Sequence, residues 1–473
     1  MKKKILTLYF GLIVGVIGFC QTFVPDDNFE QALIDLGYDT PPLDNFVPTA
    51  NIVNVIELNV NNEGIVDLTG IEDFMALETF FGSFNNISTL DISQNTNLRV
   101  LGINGSNLTS INTSSNSLLE VLAVNNNQIN SLDVTQNPLL EELYVTNNSL
   151  NTLDITLNPL LKFLFCADNS LTSLDITQNP SIELLRVQQN NLTNIDLSQN
   201  SVLRDIVCNN NLLTNLDFSQ NPDLNFIFAD FNEINSIDVS QNVNLISLFA
   251  VGNELTDIDV TNCPNLENFN VGVNQLSNID VSQNPFLSSL TIGENQLTEI
   301  DVTNNPLLST LWVHRNNITS VDVSSNGNLV QFLGFENNLE SLNIKNGNNT
   351  NVTDFQAQNN PNLFCIEVDD PAYSQANWPN VDPQVEFSLD CDQLGIDDSL
   401  ISDLVVYPNP TSDFLFVDSP DKIDSINLIN ISGKEQINVN PSNIDLSNLP
   451  SGIYFIRITL ENNNKAIRTI IKK

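Results

Sequence analysis

The chain has 473 residues, of which 41% are hydrophobic, so it holds enough apolar material for a folded core. It carries 16 basic and 57 acidic residues, and a net charge of −41 argues against nucleic acid or an anionic membrane surface as partner. The charge is uneven, because residues 21–402 contain six basic and 49 acidic residues while residues 403–473 are nearly neutral. This shift predicts a domain boundary near residue 400.

The N-terminus has the pattern of an export signal. Three lysines precede an apolar run from Ile5 to Phe19, which is shorter than the roughly 20 residues a membrane span needs. We therefore expect residues 1–20 to be a signal peptide, with a mature chain that begins at Gln21 and has no transmembrane segment. The alternative is a lipidated Cys20, which the bulky Phe19 before it disfavours.

Residues 21–76 are predicted to form an N-terminal cap and a first irregular repeat. Asp27 is expected to cap a short helix, with Glu30 reciprocating in a capping box and Gly37 ending the helix. The segment Val53–Val60 would then cover the first coil. The helix would bury one apolar face made of Phe29, Ala32, Leu33 and Leu36.

Residues 77–351 contain thirteen repeats of 21 residues. One unit, Leu140–Leu160, reads LEELYVTNNSLNTLDITLNPL, and an insertion at Lys345–Asn351 precedes a further repeat that begins at Val352. The repeats start at Leu77, Leu98, Leu119, Leu140, Leu161, Ile182, Leu203, Leu224, Leu245, Leu266, Leu287, Leu308 and Leu329.

Each repeat is itself nested, because both halves place apolar residues and an asparagine at the same offsets. The apolar residues alternate with polar ones as in a half-buried strand, and a stacked asparagine can satisfy buried backbone groups where the chain turns. The first asparagine row includes Asn127, Asn148, Asn169, Asn190, Asn211 and Asn232, and the second includes Asn137, Asn158, Asn179, Asn200, Asn221 and Asn242. We therefore predict an all-β solenoid with two opposed parallel sheets and few helices.

The consensus LxxLxVxxNxL resembles the leucine-rich-repeat family, and the nested repeat is similar to a bacterial subclass of it. The resemblance implies an exported solenoid of the Bacteroidota type, in which each coil buries its apolar side chains against its neighbours and both ends carry caps.

Residues 352–402 are predicted to hold the last repeat, a C-terminal cap around Trp378 and a linker. Export implies an oxidising compartment, so Cys365 and Cys391 are expected to form a disulfide. Cys166 and Cys208 fall at core positions and are expected to be buried thiols. With one histidine and no CxxC pair, the sequence does not favour a zinc site.

Residues 403–473 resemble the C-terminal sorting domain of the type IX secretion system. The matching motifs are VYPNP (Val406–Pro410), ISGK (Ile431–Lys434), LPSGIYFIRI (Leu449–Ile458) and the basic ending KAIRTIIKK (Lys465–Lys473). Alternating strands within 414–417, 426–429, 453–460 and 466–471 predict a small antiparallel β-sandwich. The resemblance implies that the secretion machinery is a partner and that the protein is secreted or attached to the outer-membrane surface; the alternative is an ordinary adhesion module.

Aromatic residues at the outward positions of the first-half strands predict a ligand-binding surface on the concave sheet. Exposed apolar surface of this kind often marks recognition sites, although neighbouring side chains on a sheet also cover one another. Trp312 has His314, Arg315 and Phe335 beside it, and the histidine is interpreted as a bystander. The candidate site residues are Tyr144, Phe163, Phe165, Arg186, Arg204, Phe226, Phe228, Phe231, Phe249 and Trp312.

The second half of most repeats carries an aspartate, which forms a row from Asp133 to Asp322. Stacked carboxylates repel one another, and Ser or Thr two residues later can relieve this by hydrogen bonding. The row is interpreted as a solvated face, with calcium bridging as the alternative because carboxylates are its usual ligands. The candidate calcium residues are Asp175, Asp196, Asp217 and Asp238. No other metal or cofactor is expected.

No catalytic motif of a hydrolase, metalloprotease or nucleotide-binding enzyme is present in the sequence. We therefore predict a monomeric, non-enzymatic protein that recognises a protein or glycan ligand outside the cell. The alternative is a structural surface-layer component stabilised by calcium.

Overall fold

The computed structural model describes residues 20–391, 404–419, 421–430, 435–439, 443–460 and 465–473. The predicted signal peptide before Cys20 and the ISGK motif lie outside the described residues. The chain divides into two compact units, Met1–Leu266 and Glu267–Lys473.

The first unit contains two helices, a 3₁₀ turn (Ile71–Asp73) and fourteen short strands among its described residues. The helices are α1 (Asp27–Asp35) and α2 (Thr49–Ile52). The strands are β1 (Gln21–Phe23), β2 (Phe46–Pro48), β3 (Glu57–Asn59), β4 (Thr79–Phe81), β5 (Val100–Gly102), β6 (Val121–Ala123), β7 (Glu142–Tyr144), β8 (Phe163–Phe165), β9 (Leu184–Arg186), β10 (Asp205–Val207), β11 (Asn215–Asp217), β12 (Phe226–Phe228), β13 (Ser236–Asp238) and β14 (Ser247–Phe249).

The second unit adds one helix, α3 (Pro371–Asn377), and a 3₁₀ turn (Asn349–Asn351) within the predicted insertion. Its repeat strands are β15 (Asn268–Asn270), β16 (Ser289–Thr291), β17 (Thr310–Trp312), β18 (Ser320–Asp322), β19 (Gln331–Leu333), β20 (Ser341–Asn343), β21 (Asp354–Gln356), β22 (Cys365–Glu367) and β23 (Glu386–Ser388). The C-terminal segment contributes β24 (Val405–Tyr407), β25 (Phe414–Asp418), β26 (Ile423–Asn430), β27 (Glu435–Val439), β28 (Asn443–Asp445), β29 (Gly452–Leu460) and β30 (Lys465–Lys472).

The helix of the N-terminal cap is present, but the predicted capping box is wrong. The N-cap is Asp26, one residue earlier than predicted, and its Oδ1 accepts from the backbone N–H groups of Asn28 and Phe29. Its Oδ2 accepts from the N–H groups of Val66 and Asp67, so one carboxylate joins the helix to the first irregular repeat. The prediction missed this because the second pair of donors lies 40 residues away.

Glu30 is fully buried and does not return to the helix start; its carboxylate accepts from the N–H groups of Asp44 and Asn45. Leu36, predicted to be buried, is exposed because it is the C-cap residue where the helix ends. Gly37 follows with φ of 81°, and the bonds from Gly37 N to Ile34 O and from Tyr38 N to Leu33 O close the helix as a Schellman motif.

One sheet, here called the first sheet, is built from the first half of each repeat. In the first unit its parallel strands run from β3 to β10 and continue with β12 and β14; in the second unit they are β15, β16, β17, β19 and β21. The central residue of each strand, such as Leu143, Leu164 or Leu185, points inward and is fully buried. Burying one such side chain contributes about 1.5–3 kcal/mol. The predicted all-β leucine-rich-repeat class is confirmed.

The first asparagine row joins successive coils where they leave the first sheet. Asn148 Nδ2 donates to Val124 O (3.0 Å) in the preceding coil and to Val145 O (3.1 Å) in its own, while its Oδ1 accepts from Ile129 N (3.0 Å). One side chain thus satisfies three backbone groups that the turn leaves without a β partner.

The second asparagine row does the same on the opposite side, and its members are fully buried. Asn179 Nδ2 donates to Ile155 O (2.9 Å) and to Asn158 O (2.8 Å) of the preceding coil. Regular strands form here only in places: β11–β13 in the first unit and β18–β20–β22–β23 in the second. The predicted second sheet is therefore present only in segments.

The C-terminal cap is an aromatic stack closed by a disulfide. Trp378, nearly buried, lies 4.2 Å from Phe355 and 5.9 Å from Phe387 between ring centroids. The predicted disulfide between Cys365 and Cys391 is present and links β22 to the residues after β23. Helix α3, which the sequence analysis missed, begins after Asp370, whose side chain accepts from two helix N–H groups.

Cys166 and Cys208 are fully buried in the core, as predicted. Burial raises the pKa of each thiol to about 12, so neither is a nucleophile at neutral pH.

The C-terminal segment is the predicted antiparallel sandwich. A three-stranded sheet (β24–β25–β28) and a four-stranded sheet (β27–β26–β29–β30) enclose a shared core. That core includes Leu415, Val417, Ile426, Leu428, Ile444, Tyr454, Ile456, Ile458 and Ile470.

We predict that Asn179→Ala lowers the free energy of unfolding by about 2–4 kcal/mol, because it leaves two buried carbonyls without their donor. Urea denaturation of the purified chain measures this. The matched control is Gln178→Ala at the exposed neighbouring position, where a change within about 0.5 kcal/mol is expected. Equal losses in the two variants would contradict the role of the second asparagine row.

Candidate functional site

The register of the first sheet brings the predicted aromatic residues of the first unit into one line. Strands β7, β8, β9, β10, β12 and β14 pair in parallel, so the third residue of each lies beside the third residue of the next. That line reads Tyr144, Phe165, Arg186, Val207, Phe228 and Phe249. The first residues of β8, β9, β10 and β12 form a parallel line of Phe163, Leu184, Asp205 and Phe226.

The line begins with a Tyr–Phe–Arg cluster. The rings of Tyr144 and Phe165 meet edge to face at 5.0 Å, and the guanidinium of Arg186 lies 5.7 Å from the Phe165 ring centre. The Tyr144 hydroxyl donates to Glu142 Oε2 (2.8 Å), and burial, together with this carboxylate, raises the pKa of Tyr144. The phenol is therefore neutral and held in one orientation, which suits a preorganised contact surface.

Arg186 also faces Asp205, with 3.8 Å between guanidinium nitrogen and carboxylate oxygen. Burial lowers the pKa of Arg186 and raises the pKa of Asp205, although the two opposite charges partly offset these shifts. Asp205 was not among the predicted site residues, because its partner belongs to the preceding repeat. A partly buried ion pair in an apolar surface gives that surface a polar group of fixed geometry.

The other end of the line is apolar. Phe228 and Phe249 stack at 4.8 Å with an interplanar angle of 5°. Asp230 lies beyond Phe228 on the same coil and accepts from Val251 N (2.8 Å), and burial raises the pKa of this carboxyl. This second unforeseen acid is next to Phe231, which lies in the turn after the strand with its side chain largely exposed.

Arg204 lies outside this surface. It precedes β10 by one residue and forms an exposed ion pair with Glu183 (3.4 Å). The same repeat position holds the pairs Lys162–Glu141 (2.6 Å) and Arg99–Glu120. Arg204 therefore belongs to a row of ion pairs that lies just before the N-terminal ends of the strands. We therefore define the aromatic face as Tyr144, Phe163, Phe165, Arg186, Phe226, Phe228 and Phe249.

Trp312 belongs to the second unit, where it is the last residue of β17 and precedes His314 by two residues. His314 stacks on Phe335 at 4.7 Å, and its ring lies directly over Gly293, where an added Cβ would approach within 2.4 Å. Burial lowers the pKa of His314. Arg315 bridges Glu294 and Glu336 at 3.0 Å each, so the nearby charges are paired.

The aspartate row faces solvent on the opposite side of the repeats. Asp175 Oδ1 accepts from Thr177 Oγ1 (2.7 Å) and Thr177 N (2.9 Å), and the two bonds lower the pKa of Asp175. Asp196 and Asp217 are held in the same way by Ser198 and Ser219. Within the described ranges, no group of three or more His, Cys, Asp or Glu side chains is placed to share a metal ion. Each candidate calcium residue is thus engaged with its own turn.

Stacked three-residue strands, two asparagine rows and capped ends define a leucine-rich-repeat protein by fold. Residues 405–473 match the family described as the secretion system C-terminal sorting domain. The chain is therefore a leucine-rich-repeat protein that carries a type IX secretion sorting domain at its C-terminus, which implies export and a surface or extracellular location. Among the described residues, no helix combines the length and apolar character needed to cross a membrane.

Solved structures with the same fold include the functional domain of internalin J from Listeria monocytogenes, described as including a cysteine ladder. It is 23% identical, with 96% of this chain and 99% of that chain covered and a TM-score of 0.61. An internalin (InlF) from the same species is 22% identical, with coverage of 65% and 94% and a TM-score of 0.59. A leucine-rich-repeat protein of Leptospira interrogans is 19% identical, with coverage of 72% and 97% and a TM-score of 0.56.

By sequence, the chain matches internalin J of Listeria monocytogenes serotype 4b (strain F2365) with 35% identity over 72 residues. This segment is 15% of the chain and spans only 8% of the length of that relative.

We predict that folding stability decreases as the pH falls from about 5 to about 2. The folded-state pKa of the bonded aspartates is lowered, so their contribution is present above the unfolded pKa and is lost as the pH falls through the folded pKa. Urea midpoints across this range measure the effect, and Asp175→Asn should show a smaller decrease than the parent chain. An identical pH profile for both chains would show that the row is electrostatically neutral to folding.

Proposed function

We propose that this chain is a non-catalytic recognition protein, secreted or held at the cell surface, which binds a protein partner through the aromatic face. The observation that carries this proposal is the exposed part of the Phe228–Phe249 stack, set in the same sheet line as Arg186 and Tyr144. Aromatic residues and arginine dominate the energetic centres of protein interfaces.

The charge of the chain indicates the chemistry of the partner. Residues 21–402 carry 49 acidic against six basic residues, and several of the basic ones are paired. A partner with a basic rim and apolar side chains at its centre would gain from both features, and its association would be steered by the charge. A glycan is the other candidate ligand, because flat aromatic rings also stack on sugars.

The test is binding of the purified chain to arrays of surface proteins and of glycans, with and without calcium. We expect a protein signal that falls at least about 30-fold in the combined variant Phe165→Ser, Phe228→Ser and Phe249→Ser, since three central contacts are removed. The control is Leu157→Gln, which replaces an exposed leucine on the opposite side by the residue most other coils use there.

A signal that survives the triple change would overturn the site, and a signal confined to glycans would overturn the partner class. If the chain bound to neither array and calcium raised its thermal stability, a structural surface-layer role would instead be favoured.

We also expect deletion of residues 403–473 to leave the chain in the periplasm, because the sorting domain is the feature the secretion machinery would recognise. Fractionation and immunoblotting of cells that express the full and the shortened chain measure this, with Leu157→Gln as a control for a folded, exported chain. Unchanged surface or extracellular yield of the shortened chain would refute the proposal.

A further inference from the structure

The turn after each strand of the first sheet contains a residue in the left-handed conformation. In the first unit this position is filled in most coils by glycine, asparagine or aspartate, which tolerate positive φ. They are Asn62, Gly105, Asn126, Asn147, Asp168, Asn210 and Gly252. The exceptions in the first unit are Gln189, Phe84 with φ of 59° and Phe231 with φ of 53°; in the second unit the same position holds Val273, Glu294, Arg315 and Glu336. Among the described turns of the first sheet, only Phe84 and Phe231 place an aromatic ring in this strained conformation, so these two positions need a reason.

The two phenylalanines share one local geometry. Phe84 lies against Gly105 of the next coil and Phe231 against Gly252, and a Cβ on either glycine would come within 2.7 Å of the ring. Each coil that follows a turn phenylalanine therefore has a glycine at the same repeat position, where no side chain obstructs the ring. The arrangement fixes the direction of each ring.

Core packing does not explain the two rings. Phe84 is 64% exposed and Phe231 is 57% exposed, although each touches a glycine on one side. Burial of apolar area is what would offset the backbone strain in a structural residue, and here most of that area remains in solvent. Strained, oriented and exposed aromatic side chains are instead typical of binding sites.

We propose that Phe84 and Phe231 are two anchors of one docking edge for the protein partner, beside the aromatic face. They lie seven repeats apart within the first unit, which corresponds to about 34 Å along the sheet. This inference rests on the proposed function, because Phe231 follows Phe228 and Asp230 of the same coil and continues that surface.

The spacing and the charge determine the kind of occupant. A span of about 34 Å exceeds a small molecule and matches the width of a standard protein interface. Asp168 lies between the two anchors at the same repeat position, and Asp230 and Glu233 flank Phe231. The docking edge therefore fits a basic protein surface with two apolar contact points; an oligosaccharide is the alternative that the test separates.

The first measurement is thermal stability of the full chain with Phe84→Asn, Phe231→Asn and both changes. Asparagine is the residue that five other coils use at this position, so strain is relieved while the fold keeps its usual turn. We expect the melting temperature to stay equal or rise by about 1–3 °C. A clear fall would mean that the rings are structural, which would overturn the proposal.

The second measurement compares the affinities of synthetic peptides in which two identical binding segments, here called heads, are joined by a spacer of known length. Each head is Lys-Trp-Trp-Lys, and rigid polyproline spacers of about 5, 11 and 17 residues separate the heads by about 16, 34 and 53 Å. We expect the middle spacer to bind the parent chain about 10-fold more tightly than the other two, because only it can reach both anchors. The preference should vanish in either Asn variant and persist in Leu157→Gln.

Affinities that do not depend on spacer length, or a preference retained in the double Asn variant, would overturn the two-anchor edge. Loss of glycan-array binding in the Asn variants, without any peptide preference, would overturn the protein as occupant. Because the triple change at Phe165, Phe228 and Phe249 leaves both anchors in place, failure of the aromatic face and failure of the docking edge give different results.

Discussion

The buried asparagine is the interaction on which the structure depends. A solenoid of three-residue strands leaves most of each coil without β partners, and every such backbone group that is buried must find another one. Asn148 and Asn179 show how both turns of a repeat solve this, each with a carboxamide that bonds carbonyls of its own or the preceding coil. The constant length of 21 residues follows, because a carboxamide can reach the same groups in every coil only if the register never changes.

That constraint also explains how a surface can vary on a uniform frame. The inward residues and the two asparagine rows recur in nearly every coil, whereas outward positions are free to differ. The line from Tyr144 to Phe249 contains two ring pairs and an arginine, while the aspartate row on the other side repeats with little change. The proposed recognition surface therefore lies on the variable side, and the aspartates of the other side are each bonded to their own turn.

Much of the fold could be predicted from the repeat period alone. A shift of one residue in the strand register would turn the buried apolar side chains toward solvent, so the period fixes the register. The caps were less predictable. Asp26 was missed as the N-cap because its second carboxylate oxygen bonds residues 40 positions away, and Glu30 followed a capping-box pattern yet tethers the loop at Asp44. At the site, the aromatic residues came from the repeat pattern, whereas Asp205 and Asp230 matter only because of burial and of neighbours in adjacent coils.

The sequence by itself determined the repeat, the strand residues, both asparagine rows, the Cys365–Cys391 disulfide and the C-terminal sorting domain, because each is a regular or local pattern. Only the tertiary structure decided that the second sheet forms in segments and that Arg204 forms an ion pair with Glu183 of the preceding coil. It also decided that the exposed rings of Phe84 and Phe231 each lie against a glycine of the next coil. The physical reason is that these outcomes depend on contacts between coils, and a neighbour 21 residues away is adjacent only after the chain has coiled.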